Sequence, residues 1–230
     1  MYDLLIINGL VVDGTGLPRR RADLAIRNGR IVGMGHFDRG EARDVIDAEG
    51  RIVAPGIVDP HTHYDPQLTF EPYGTSSCYH GVTTVAAGNC GFSIAPTRAD
   101  DREFITRIFA RVEDMSPRSL QGIPWGFESF PEYLDTLRGK IGINAASYIG
   151  HCNIRRWVMG EHAYERGATD EEIVQMRDML RKAMEAGAAG LSSTHAPTHL
   201  DTLGRPVPSR LSSKEELASL VAEVGRYNAG

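Results

Sequence analysis

The chain has 230 residues, 41% hydrophobic and 24% charged, which fits one sizeable globular domain or one domain and part of another. Its net charge of −5 provides no basic field for nucleic acid, and no apolar run reaches the length of a membrane span. The cysteines, Cys78, Cys90 and Cys152, are too widely spaced for a disulfide framework. They favour a reducing, cytoplasmic compartment, as does a start without the cationic segment of a signal peptide.

Short strands and turns fill the N-terminal quarter of the sequence. Residues 2–12 predict two strands around Asn8-Gly9, and residues 22–34 predict a hairpin that turns at Asn28-Gly29. Residues 44–54 again predict strand, turn and strand. We therefore expect residues 1–54 to form antiparallel strands of a small β-sandwich.

Strands and helices alternate after Pro55. Strands are predicted in residues 56–63, 81–91, 141–152 and 190–194, of which 141–152 is predicted to be buried, and helices in residues 100–113, 169–186 and 212–227. The alternation indicates an α/β fold of βα units with a parallel sheet. Four units are half of a (β/α)₈ TIM barrel, so we expect residues 55–230 to be incomplete, with a fifth strand starting at 228–230. The remaining half-barrel would lie in the same chain or in a partner.

His61 and His63 follow a short apolar strand. Residues two apart in extended chain project to the same side, so both imidazoles can reach one metal ion. The carboxyl ends of barrel strands are where the chemistry of such barrels occurs. These two histidines are therefore predicted metal ligands.

Cys90 lies at the end of the next strand, within Gly88-Asn89-Cys90-Gly91. Flanking glycines suit a close approach of backbone to a site better than they suit an apolar core. A thiolate here could ligate one zinc or bridge two. Cys78 lacks this placement and is predicted to pack, and Cys152 is not counted as a ligand.

The chain resembles the amidohydrolase superfamily, and in particular the D-aminoacylases (N-acyl-D-amino-acid deacylases), in PGIVDPHTHYD, GVTTVAAGNCGFSIAP and YIGHCNIRRWVMG. DLLIINGLVVDGTG and DVIDAEGRIVAPG resemble the N-terminal sandwich of that family. The resemblance implies a TIM barrel in which the HxH pair and the cysteine bind one or two Zn²⁺. It also implies two later histidines and a general-base aspartate, which have no position before Gly230.

Lysine usage separates the D-aminoacylases from hydantoinases and dihydroorotases, which bridge two metals with a carboxylated lysine at a strand end. Lys140, Lys182 and Lys214 are the lysines of this chain, and none is predicted at a carboxyl strand end. Cys90 therefore replaces the bridging group in this interpretation.

Polar residues at the third and fourth strand ends are candidates for substrate binding. His151 could contact substrate or could be a hydrogen-bonded histidine under a loop. Arg155 could bind a substrate carboxylate or could be solvated. Ser192 and Thr194 lie at the fourth strand end, and the loop that follows, residues 196–210, departs from the D-aminoacylase pattern and is expected to shape substrate choice. His195 and His199 within this stretch offer only a weak second metal site.

Metal-dependent hydrolysis of a linear amide, with N-acyl amino acids as substrates, is the function that these features favour. Hydrolysis of a cyclic amide such as a hydantoin or lactam remains an alternative. A third possibility is a non-catalytic half-barrel that needs a partner. The sequence does not determine the oligomeric state, and a homo-oligomer is one of the possibilities.

Overall fold

The computed structural model describes residues 1–227. Two compact units divide the chain, with the boundary between Gly56 and Ile57. The fifth strand predicted at residues 228–230 lies outside the described residues. Within residues 1–227, no helix combines the length and apolar character that a membrane crossing requires.

The first unit is built from short strands: β1 (Tyr2–Ile7), β2 (Leu10–Val11), β3 (Arg20–Arg21), β4 (Asp23–Arg27), β5 (Arg30–Gly35), β6 (Ala42–Asp47) and β7 (Ile52–Val53). One sheet has the order β5-β4-β1-β6 and another has the order β3-β2-β7. The predicted hairpin is confirmed, because β4 and β5 pair antiparallel around Asn28-Gly29. Both turn residues have positive φ, 51° and 70°, as a tight hairpin turn requires.

The prediction that all strands of the first unit run antiparallel is wrong. β6 pairs parallel with β1, and β7 pairs parallel with β2. The reason lies at Asn8-Gly9, where the chain passes from one sheet to the other instead of folding back as a hairpin. β6 and β7 likewise pass from the first sheet to the second. β6 therefore lies parallel to β1, and β7 lies parallel to β2. Asn8 ties the two passages together by donating to Asp47 Oδ1 at 2.9 Å.

The second unit alternates strands with helices. Its strands are β8 (Ile57–Asp59), β9 (Val82–Ala87), β10 (Asn144–Gly150) and β11 (Gly190–Ser192). Its helices are α1 (Arg102–Val112), α2 (Pro117–Leu120), α3 (Phe130–Leu137), α4 (His151–Met159), α5 (Asp170–Ala186) and α6 (Lys214–Val224). The strands form one sheet, β11-β10-β9-β8, with every neighbouring pair parallel. The predicted α/β half-barrel is confirmed.

Local sequence fixes the helix boundaries. Thr169 caps α5 by accepting from the backbone of Glu172, whose carboxylate accepts from Thr169 N at 2.8 Å, the predicted capping box. Gly187 ends the helix in the left-handed region at φ 107°. Ser213 caps α6, one residue later than the predicted start at Ser212.

The apolar core of the second unit lies between its sheet and its helices. It includes the fully buried side chains Val85, Phe92, Ile105, Ile108, Phe109, Ile149, Ile154, Met176, Leu180 and Leu220. Because all four strands run in the same direction, their carboxyl ends meet at one edge of the sheet. The polar residues that follow β8, β9, β10 and β11 are therefore collected at that edge.

Candidate metal centre

Thr62 anchors the segment that carries the two predicted histidine ligands. Its backbone N–H and its hydroxyl both donate to Ala86 O, at 2.9 Å and 2.8 Å. Asn89 also donates its side-chain amide to Thr62 O at 3.1 Å and to Ala86 O at 3.0 Å. These bonds hold the end of β8 against the end of β9, with His61 and His63 on either side of the anchor.

Cys90 occupies a tight turn directly after β9. Its φ is +57°, unusual for a side chain other than glycine, and Gly88 and Gly91 on either side also have positive φ. A Cβ at Gly88 would collide with Tyr148 O, and one at Gly91 would lie 2.8 Å from Thr194 N. The glycines thus let the turn approach the backbone of β10 and of the residues that follow β11, the close approach that their flanking position predicted.

The structure brings His61, His63 and Cys90 together. His61 Nε2 lies 3.2 Å from Cys90 Sγ, and one ligand atom from each of the three residues lies within 4.8 Å of the others. His61 is exposed, while His63 and Cys90 are half-buried. Their roles as ligands stay a prediction.

His63 lies in a largely apolar setting. Its ring stacks on Phe92 at 5.3 Å between centroids and meets the edge of Phe109 at 6.3 Å. Among the described residues, neither ring nitrogen has a hydrogen-bond partner, although Glu113 Oε1 lies 3.2 Å from Nε2. Burial, helped by His61 and His199, lowers the pKa of His63 to about 4. The imidazole is therefore neutral at physiological pH, the state in which it binds a metal.

Cys90 carries a thiol that needs a cation to ionise. Burial and the nearby Glu113 carboxylate raise the pKa of the Cys90 thiol to about 11. A bound divalent ion would replace the thiol proton, because metals bind the thiolate. Two imidazoles and one thiolate form a donor set that suits zinc. Together with the unpartnered nitrogens of His63, this donor set fits a zinc ion.

Two acidic residues near the histidines were not predicted. Asp65 is buried and accepts from Ile94 N at 2.6 Å, and burial raises the pKa of Asp65 to about 7. Asp65 continues the two-residue spacing of His61 and His63, so the sequence pattern could have identified it as a site residue. Glu113 follows α1, more than twenty residues beyond Cys90, and no spacing in the sequence pointed to it.

His151 and Arg155, the predicted substrate contacts on α4, have fully buried side chains. His151 Nε2 lies 2.7 Å from Glu216 Oε1, and its Nδ1 lies 2.9 Å from Ser193 Oγ. Arg155 donates to the other carboxylate oxygen of Glu216 and, at 2.7 Å, to Arg166 O. Direct contact with a substrate would require this network to rearrange. In the structure, the network instead packs beneath the carboxyl ends of the strands.

Ser192 and Thr194 lie beside the Cys90 turn. Ser192 Oγ donates to Gly88 O and accepts from Gly91 N at 3.1 Å, so it spans the turn. Thr194 is buried, and its hydroxyl lies 2.9 Å from His199 Nδ1. These bonds join the end of β11 to the candidate metal centre.

The loop of residues 196–210 reaches the same region through His199, whose ring lies 6.3 Å from that of Phe92. His195 turns elsewhere, with Nε2 3.4 Å from Ser212 Oγ. Within the described residues, His195 and His199 join no cluster of metal-ligating side chains. The weak second metal site therefore gains no support.

In (β/α)₈ barrel enzymes the active site lies at the carboxyl ends of the parallel strands, which is where His61, His63 and Cys90 meet in this half-barrel. The model of the Amidohydrolase family matches residues 44–229, and the chain belongs to that family.

Curated relatives include a D-aminoacylase and an N-acyl-D-aspartate deacylase, both from Alcaligenes xylosoxydans xylosoxydans. The first is 40% identical over 84% of this chain and 37% of its own length, and the second is 37% identical over 83% and 36%. The resemblance to D-aminoacylases is thereby confirmed.

A solved N-acyl-D-glutamate deacylase from Bordetella bronchiseptica, complexed with zinc and a phosphonate inhibitor, has a similar fold. It superposes with a TM-score of 0.79 at 34% identity, covering 98% of this chain and 43% of that one. The chain thus spans about two fifths of the length of these relatives.

Proposed function

We propose that this chain carries part of the active site of a zinc-dependent hydrolase that deacylates N-acyl-D-amino acids. The observation that carries the proposal is the convergence of His61, His63 and Cys90 at the carboxyl edge of the parallel sheet. The named deacylases among its relatives support the substrate class.

His61, His63 and Cys90 would hold one or two Zn²⁺ ions. When bound, the metal supplies a polarised amide carbonyl and an activated water. The chain's own residues prepare the site for it. Phe92 covers one face of the His63 ring and limits its access to water, while the anchored Thr62 fixes the separation of the two histidines.

We propose that Ser192 and Thr194 form a substrate-facing wall at the ends of β10 and β11, and that the buried His151 and Arg155 support this wall from behind. The general base and the remaining ligands would come from a second half-barrel, in the same polypeptide or in a partner chain. Such a half-barrel would pair with the outer strands β8 and β11 of this sheet.

The test is a substrate panel of N-acyl-D-amino acids, N-acyl-L-amino acids and hydantoins, assayed on the protein as it occurs naturally with its metal content measured. We expect turnover of the N-acyl-D-amino acids that disappears with zinc removal and with His61→Ala. Preferential turnover of hydantoins would favour the cyclic-amide alternative. A zinc-free protein that turns over none of the panel would favour a non-catalytic role.

A further inference from the structure

His199 is held beside the candidate metal centre by contacts on two sides. Its Nδ1 lies 2.9 Å from the hydroxyl of Thr194, a buried residue whose backbone nitrogen packs against Gly91. Its ring meets the ring of Phe92 at 6.3 Å between centroids, and Phe92 in turn stacks on His63. His199 therefore reaches the immediate surroundings of the predicted metal ligands, although it belongs to a loop much later in the chain.

Backbone bonds fix the position of His199 within the loop of residues 196–210. Its N–H donates to Ala196 O at 3.1 Å, and its carbonyl accepts from Val207 N at 3.3 Å. Leu200 and Pro206 form a β-bridge next to these bonds. The loop is thus folded on itself, and His199 has a defined place in it.

The hydrogen bonds of Thr194 indicate which nitrogen of His199 carries a proton. Thr194 Oγ accepts from Ala196 N at 3.2 Å, so its own proton is available for His199 Nδ1. Burial and the nearby Arg210 charge lower the pKa of His199, and the ring is neutral at physiological pH. A neutral ring that accepts at Nδ1 carries its proton on Nε2. Within residues 1–227, that Nε2–H has no hydrogen-bond partner.

Arg210 supplies a positive charge in the same loop. It is partly exposed, donates to Pro197 O at 3.2 Å and is close enough for its charge to act on His199. Among the described residues, no carboxylate forms an ion pair with Arg210, whereas Arg205 pairs with Asp201 at 2.8 Å. The loop thus contains one guanidinium that is neutralised and one that can bind an anion.

We propose that His199 and Arg210 bind the α-carboxylate of the N-acyl amino acid, an assignment that rests on the proposed function. In such a substrate, only the amide nitrogen and the α-carbon separate the scissile carbonyl from the carboxylate. A group that binds the carboxylate must therefore lie next to the metal centre without being a metal ligand, which is the position of His199. A neutral N–H donor and a guanidinium together suit a carboxylate, because both donate hydrogen bonds and one supplies charge.

The test compares an N-acetyl-D-amino acid with its α-carboxamide, which has the same shape but no negative charge. Released acetate is measured with the natural, metal-loaded protein. We expect kcat/KM to favour the acid at least about ten-fold, the value of one hydrogen bond to a charged group. Equal kcat/KM values for the two substrates would overturn the proposal, and this measurement does not depend on the folding of a variant.

His199→Ala and Arg210→Gln each remove one of the two donors. We expect both variants to raise KM for the acid at least about ten-fold, to leave kcat nearly unchanged and to leave KM for the carboxamide nearly unchanged. Arg210→Lys keeps the charge and is expected to retain more of the preference for the acid than Arg210→Gln. His195→Ala is the matched control, because His195 immediately precedes the loop but is exposed and lies toward Ser212. It is expected to change neither KM.

Folding of each variant is checked by circular dichroism and zinc content. Folded variants that lose turnover of the acid and the carboxamide in the same proportion, or that lose neither, would overturn the proposal. If the natural protein released no acetate from any N-acetyl-D-amino acid, the proposed function itself would fail. Intact turnover without a selective effect on the acid would reject the carboxylate site alone and leave the proposed function standing.

Discussion

The buried network around Glu216 predicts one large effect on stability. Glu216 lies on α6, and its two carboxylate oxygens contact His151 and Arg155 of α4, all three side chains being fully buried. Burial alone would raise the pKa of Glu216, but the hydrogen bonds from His151 and the charge of Arg155 outweigh it and lower the pKa. Burial lowers the pKa of His151, so a neutral ring donates from Nε2 to the carboxylate and accepts from Ser193 at Nδ1.

Glu216→Gln keeps the shape of the side chain but leaves the Arg155 guanidinium without a counter-charge. Removing one partner of a buried ion pair costs about 3–5 kcal/mol, because the other charge remains desolvated. A domain has a total stability of about 5–15 kcal/mol, so the variant is expected to lose a large fraction of it. Glu215→Gln is the matched control: it changes the exposed neighbour on the same helix and is expected to stay within about 0.5 kcal/mol.

Urea unfolding, monitored by circular dichroism, measures the free energy of unfolding of Glu216→Gln and of Glu215→Gln. An unchanged m-value checks that the denatured state is the same in both variants. The double variant Arg155→Met, Glu216→Leu replaces the pair with apolar groups and is expected to be more stable than Glu216→Gln. If Glu216→Gln and Glu215→Gln unfolded at the same urea concentration, the network would contribute nothing and the reasoning would be refuted.

Three further predictions concern separate parts of the second unit. Cys90→Ala should abolish most zinc binding while Cys78→Ala should leave it intact, as measured by metal content after dialysis; equal small losses would make Cys90 a packing residue. Hydrogen bonding to Arg166, which outweighs burial, and the Thr169 cap lower the pKa of Glu172 to about 2. Glu172 therefore contributes about 1–3 kcal/mol to the free energy of unfolding above about pH 4.5, and this contribution is lost as the pH falls toward 2. The difference in unfolding free energy between natural protein and Glu172→Gln should shrink over that range, and a constant difference would contradict the assignment. Replacing residues 196–210 with the corresponding loop of a D-aminoacylase should change substrate preference on the panel described above, and an unchanged profile would show that this loop does not touch substrate.

Elements with a local signature were predictable from sequence. The Thr169 capping box, the Asn28-Gly29 hairpin and the paired histidines each depend on residues that are close in the chain. The glycines around Cys90 likewise indicated a close backbone approach, which the structure shows against Tyr148 O.

Long-range contacts were not predictable in the same way. Glu216 meets His151 across 65 residues, and Glu113 meets His63 across 50 residues, without any periodic pattern that joins them. The parallel pairing of β6 with β1 was missed for a similar reason, because strand propensity identifies strands but not their partners. In each case the missing information is which elements the whole fold places side by side.

His61, His63 and Cys90 all belong to one short stretch of the chain that ends only a few residues beyond β9. Thr62 and Asn89 bond this stretch to itself, so the relative positions of the three donors are fixed within it. Recombination between related genes with crossovers outside this stretch would transfer the three donors together. The later loop of residues 196–210 can therefore diverge in sequence while the relative positions of these three side chains are preserved.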